Sequence, residues 1–183
     1  MTRTIVKRVT AGVAAAAGAL VLGITTASAT TGAPVETGQA GEVPPCASGQ
    51  LKLSASEPQQ AGASGQHTMT LSLKNISEST CGVDGLPTVE LVGPEHDVYG
   101  DTFQLPQGTP DGGFAALVPG EASEIAEVTV LSPAQGSETW TPDTIEVTPP
   151  GESSPLIQDW PDDLPVLRQD GATHPGSFVR GIA

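Results

Sequence analysis

From Cys46 onward the apolar residues alternate with polar ones instead of recurring every three or four positions. That period of two is the signature of strands that bury one face. Leu51 and Leu53 share a face of a first predicted strand. Met69, Leu71 and Leu73 share a face of a second, with Thr68, Thr70 and Ser72 on the other side, and Val89 and Leu91 begin a third after the turn Asp84-Gly85-Leu86-Pro87. Further strands are predicted over 98–103, 114–118, 125–131, 144–148, 155–159 and 177–182. The turn sequences Val118-Pro119-Gly120, Ser132-Pro133, Pro149-Pro150-Gly151 and Asp170-Gly171 punctuate these runs. Residues 160–176, rich in Pro, Asp and Gly, read as loop. Many short strands with frequent turns predict an all-β, antiparallel β-sandwich. No segment carries the sustained helical period that a parallel βαβ unit needs.

The first 29 residues have another pattern. Arg3, Lys7 and Arg8 precede an apolar run from Ala11 to Ile24, which ends in Ala27-Ser28-Ala29. A basic start, a short apolar stretch and a small-residue cleavage site describe a secretory signal peptide. The run has 14 residues with Gly12, Gly18 and Gly23 inside it, whereas a spanning helix needs about 20 apolar residues. The expected localisation is therefore extracellular or on the cell envelope, with no stable membrane insertion after cleavage. Residues 30–44 show no period and read as a flexible spacer, which places the β-sandwich domain at 45–183.

Composition sharpens this picture. The chain has 183 residues, 22 of them Gly and 17 Pro, a density that excludes long helices and coiled coils. Loss of the leader removes three of the seven basic residues and none of the 21 acidic ones, leaving −17 on 154 residues. The remaining cations, Lys52, Lys74, Arg168 and Arg180, are dispersed along the sequence and too few for a phosphate-binding stripe, so nucleic acid is not an expected partner. The expected partner is a protein or an envelope component.

Cys46 and Cys81 are the only cysteines. In an exported chain an even pair reads as a disulfide. If the strands near Gln50 and Lys74 pair antiparallel through the intervening loop, both cysteines fall at the same end of that pair. Neither a CxxC spacing nor a neighbouring base marks a reactive thiol.

No motif identifies an active site. His67, His96 and His174 are the only histidines, and none has metal-ligand spacing. The segment Gly62-Ala63-Ser64-Gly65 misses the nucleophile pattern GxSxG by one position. Six aromatic residues are too few to line a sugar cleft and also fill a core. Two acidic clusters, Glu95 with Asp97 and Asp101, and Asp159 with Asp162 and Asp163, are candidate calcium ligands, although neither follows the DxDxDG loop pattern. Asn75-Ile76-Ser77 matches a glycosylation acceptor and reads equally well as a turn. No catalytic, cofactor-binding or metal-binding residue is assigned, and no cofactor is expected.

The stretch from Pro45-Cys46 through Gly65-Gln66, the run 70–77, Thr80-Cys81 and Gly85-Leu86-Pro87-Thr88-Val89-Glu90-Leu91 resemble a secreted actinobacterial family, domain of unknown function 4232. Leu117-Val118-Pro119-Gly120-Glu121-Ala122 and Ile145-Glu146-Val147-Thr148-Pro149-Pro150-Gly151-Glu152 extend the resemblance over about 46–183. It implies an immunoglobulin-like β-sandwich with a disulfide at Cys46 and Cys81, and it implies no activity. Many members carry a second cysteine pair in the C-terminal half. Here that pair is absent, and Trp140 stands near one of the expected places, so the C-terminal half is expected either to be looser or to be tied down by packing of Trp140 instead. The expected function is that of a non-enzymatic interaction module. A calcium- or small-ligand-binding domain is the alternative, and a hydrolase with an unrecognised site the third.

Replacing Cys46 and Cys81 together by Ala is expected to lower the unfolding free energy by up to about 3.8 kcal/mol, the loop-entropy value for the enclosed segment. The shift in urea midpoint measures it, and two labelled free thiols in the native protein would overturn the bridge.

Overall fold

The computed structural model describes residues 42–62, 65–161 and 163–182. The leader 1–29 and most of the spacer, to residue 41, lie outside the described residues, as do Ala63, Ser64 and Asp162. Among the described residues no helix is long and apolar enough to cross a membrane.

The described residues form eleven strands: β1 (Leu51–Ala55), β2 (Gln59–Ala61), β3 (Gln66–Asn75), β4 (Cys81–Asp84), β5 (Thr88–His96), β6 (Gly100–Gln104), β7 (Phe114–Leu117), β8 (Ala122–Leu131), β9 (Thr144–Thr148), β10 (Leu156–Asp159) and β11 (Phe178–Gly181). Every pairing between them is antiparallel. Sheet one runs β1-β3-β8-β11, with β2 also on β3; sheet two runs β10-β9-β5-β6; β4 and β7 form a small third sheet. Strands from both halves of the sequence are interleaved in each large sheet, so β1 and β3 lie beside β8 and β11 in sheet one, and β5 and β6 beside β9 and β10 in sheet two.

The alternation in sequence is the alternation of burial. Along β1 Leu51 and Leu53 are buried while Lys52 and Ser54 are exposed; along β9 Ile145 and Val147 are buried between half-buried threonines and a glutamate. The inward residues Met69, Leu71, Leu73, Val128, Val130 and Val179 of sheet one join Val89, Leu91, Phe103, Ile145 and Val147 of sheet two in one core. Each such aliphatic side chain contributes about 1.5–3 kcal/mol of burial.

Most predicted strands are present, with shifted ends. The run expected at 98–103 begins only at Gly100, because Val98 and Tyr99 form the tip of the β5–β6 hairpin. The strand expected at 125–131 begins earlier, at Ala122. Two strands are missing from the prediction. β2 is polar, exposed and recruited by the edge of β3; β4 is only four residues long and owes its pairing to β7 and to the disulfide.

That disulfide joins Cys46 to Cys81, both buried. The register Leu51↔Asn75 places them at one end of the β1–β3 pair, as the antiparallel argument requires. Cys81 itself lies beyond the turn, on β4. There the Cys46 amide donates to the Gly82 carbonyl at 2.9 Å and the Gly82 amide to the Pro44 carbonyl at 2.8 Å, so the bridge reinforces a short parallel contact.

The outer edge of β11 is covered by 106–112. Val179 donates its amide to Pro106, Gly108 to Val179 and Gly181 to Pro110. A Cβ on Gly181 would overlap the Gly112 backbone, which itself has φ +86 and lies against Gly85. Gly181→Val is therefore expected to destabilise by about 2–3 kcal/mol, since neither backbone can yield. Gly49→Ala, facing open space, is expected to stay within about 0.5 kcal/mol; urea melts of the two variants make the comparison.

Candidate functional site

The densest gathering of His, Tyr, Trp, Arg and acidic side chains lies at one end of the sandwich. It is assembled by the β5–β6 tip, the segment 132–143 and the segment 160–170. The irregular register of β5 after Val92 coincides with Gly93-Pro94, residues suited to a bulge. A Cβ on Gly93 would come within 2.9 Å of Pro142 and 3.0 Å of the Trp140 ring, so the bulge lets the indole pack close. Trp140 Nε1 donates to the Pro94 carbonyl at 2.8 Å.

The tip itself is shaped by His96. Its Nδ1 accepts from the amides of Val98 at 3.1 Å and Tyr99 at 3.4 Å, which places the neutral-ring hydrogen on Nε2. Its ring lies 4.8 Å from that of Tyr99, and Nε2 is 3.6 Å from Glu138 Oε1. Gly100, at φ +71, permits the chain to reverse. Val98 projects outward, 75% exposed, and Tyr99 leaves 45% of its surface exposed, beside the acids Glu95, Asp97, Asp101 and Glu138. Two small cavities of about 230 and 200 Å³ flank His96, Glu138 and Trp140.

Below the tip is Arg168, whose side chain is only 3% exposed. Its guanidinium lies over the rings of Trp140, Phe103 and Tyr99 at 4.6, 5.3 and 5.5 Å. It donates to the carbonyls of Tyr99, Gly100 and Thr102 and makes a two-point contact with Asp170 at 2.8 and 2.9 Å. The three rings thus surround the protein's own cation rather than leaving a cage for a ligand. The arginine fastens the C-terminal segment to β6. The Val166 amide donates to the Trp140 carbonyl and the Leu167 amide to the Leu131 carbonyl, completing the attachment. Of the two alternatives for that half, Trp140 is buried and packs against Arg168 at 4.6 Å. In sequence Arg168 is one of four dispersed cations, and nothing in its own neighbourhood marks its contacts with residues 66–69 positions earlier.

The other candidate residues stay apart. Among the described residues no group of three or more His, Cys, Asp or Glu is placed to hold a metal ion. Glu95, Asp97 and Asp101 surround the tip without converging; Asp159 ends β10, and Asp162 lies outside the described residues. His67 Nδ1 meets Ser132 Oγ at 3.2 Å and His174 Nδ1 meets Thr173 Oγ1 at 3.2 Å. Half of the motif Gly62-Ala63-Ser64-Gly65 lies outside the described residues.

Asn75 is wholly buried, so the turn reading of Asn75-Ile76-Ser77 prevails over the glycan reading. Its Nδ2 donates to the carbonyls of Ser79 and Leu117, and its Oδ1 accepts from the amide and hydroxyl of Ser77. Among the described residues no buried side-chain nitrogen or oxygen lacks a hydrogen bond.

These observations define an all-β domain of antiparallel sheets with a stapled N-terminal edge and an arginine-anchored C-terminal segment. Residues 46–176 match the family model described as Domain of unknown function (DUF4232), and the chain belongs to that family. The match ends before β11. No curated protein and no solved structure matches the chain.

Arg168→Met is expected to cost about 2–3 kcal/mol, because the buried carbonyls and Asp170 lose a charged donor, discounted for the partial exposure of Asp170. Arg168→Lys is expected not to restore it, since an ammonium cannot supply the planar fork. Hydrogen exchange should show the loss concentrated in 160–176; uniform exchange across the domain would contradict the anchoring role.

Proposed function

We propose that the protein is an exported, non-enzymatic interaction module of an actinobacterial envelope or its surroundings, built as an immunoglobulin-like sandwich that presents its β5–β6 end to a basic protein partner. The observation that carries this reading is the Val98–Tyr99 tip: an outward Val98 beside a half-exposed Tyr99 whose ring packs on His96 and Arg168, on a hairpin whose shape is held by His96 and whose base is bonded to Arg168. A tip fixed in this way loses little conformational freedom on docking. The surrounding Glu95, Asp97, Asp101 and Glu138 favour a partner that rings an apolar depression with Lys or Arg, and steer it at long range.

The leader pattern supports export, and the disulfide suits an oxidising compartment. The scarcity of free cations makes the acidic surface selective for basic partners as well as soluble.

Crosslinking and pull-down from producing cells test the proposal. The wild-type protein is expected to recover a reproducible partner that is released at high salt. Val98→Arg, at an exposed position, should leave the melting temperature unchanged while reducing recovery at least about tenfold, or about 1.4 kcal/mol. Recovery of bait alone, or of the same partner by the variant, would overturn docking through the tip.

A further inference from the structure

His96 occupies a position that an imidazole can hold only while it is neutral. Its Nδ1 accepts the amides of Val98 at 3.1 Å and Tyr99 at 3.4 Å, so the lone pair that would take a proton is the one that fixes the tip. For those two amides it is the acceptor that the described residues supply. The strands add little here, because β5 loses its regular register with β6 after Val92 and regains it only at His96↔Gly100. Arg168 holds the carbonyls of Tyr99, Gly100 and Thr102, which form the base of the hairpin.

The other ring nitrogen meets the opposite environment. Nε2 lies 3.6 Å from Glu138 Oε1, on the segment 132–143. The remaining charged or titratable groups about the ring are Tyr99, with its ring at 4.8 Å, Arg168, which lines the same small cavity, and Glu95, Asp97 and Asp101 of the hairpin. The His96 side chain is 13% exposed and lies between the cavities of about 230 and 200 Å³, so solvent reaches it and the ring has room to turn. A proton on Nδ1 makes a donor that faces two donors, and both amide contacts are lost. The imidazolium keeps Glu138 as the partner of Nε2. Histidine is the side chain whose ordinary titration falls between about pH 5 and pH 8.

We propose that His96 is a pH-sensitive pin: neutral, it fixes the Val98–Tyr99 tip, and protonated, it releases the tip and so weakens capture of a basic partner. Two effects act in the same direction. A released tip has to be ordered again on docking, and the imidazolium adds a positive charge among the acids that attract the partner. The bonds of Arg168 use no histidine nitrogen, so release is confined to residues 97–99 and the sandwich stays folded. The effect on capture rests on the docking function proposed above; the release of the tip does not.

NMR spectra of the ¹⁵N-labelled protein alone, taken from about pH 8 to about pH 5, test the pin. The amides of Val98 and Tyr99 are expected to move along one titration curve with the His96 ring signals, while those of β1, β3 and β9 stay in place. His96→Asn, whose side-chain oxygen can accept the amide two residues on as in an Asx turn, should hold the tip throughout the range. His96→Ala should leave it released throughout, and His67→Asn and Asp97→Asn should leave the transition unchanged. Crosslinking at the two ends of the range reads the consequence. Recovery of the partner should fall about tenfold at the acidic end, as for a competent fraction of about one tenth, and His96→Asn should remove that fall. Tip amides that stay still while His96 titrates, a tip transition that persists in His96→Asn, or an imidazole still neutral at the acidic end would overturn the pin. Recovery that ignores pH although the tip is released would overturn the regulation, whereas a switching tip with no partner captured would establish the release and overturn docking.

Discussion

The register of β3 is the constraint on which the rest of the molecule depends. This strand is paired on one edge with β1 and β2 and on the other with β8, and its residues Met69, Leu71 and Leu73 are almost completely buried. A slip of one position would bring Thr70, Ser72 and Lys74 into the core and expel the leucines. The cost, several kcal/mol of lost burial plus a desolvated ammonium, leaves one register. Everything at its ends follows. Asn75 is delivered to the turn that its side chain closes, Cys81 is carried to β4 opposite Cys46, and Lys74 meets Lys52.

The two halves of the domain are fastened by different chemistry. At the N-terminal edge a covalent bridge acts mainly by restricting the unfolded chain. At the C-terminal end a guanidinium stacked on three rings holds a segment that contains little regular structure. A buried charge is a costly fastener, because its desolvation must be offset by several well-made bonds. Arg168 meets that condition with three carbonyls, a carboxylate and the faces of Trp140, Phe103 and Tyr99. Its geometry demands one arrangement of the β6 start and residues 166–170, so it specifies the loop end as well as holding it. In a chain with six aromatic residues, three of them converge on one cation, and the projecting tip is built upon that cluster.

The acidity of the chain has no single location. Glu90 and Glu146 oppose each other across β5 and β9, others rim the tip, and no described set of three gathers for a metal. The cations are the opposite case: few in number, but divided by the fold into one anchor, one surface ion pair and one unrelieved pair.

The strands with strict alternation, β1, β3, β5 and β9, were legible from the sequence alone, because a half-buried strand writes its period directly into the order of its residues. The disulfide was legible too, since it depends on two cysteines and one antiparallel register. β2 and β4 were not, because their pairing is imposed by neighbours rather than by their own composition. Nor was the tip within 98–103, where an apolar run serves as an exposed turn. The role of Arg168 and the pairing of Lys52 with Lys74 depended wholly on tertiary structure. Local pattern determines which face of a strand is buried; only the folding of distant segments onto one another decides what a charged side chain will touch.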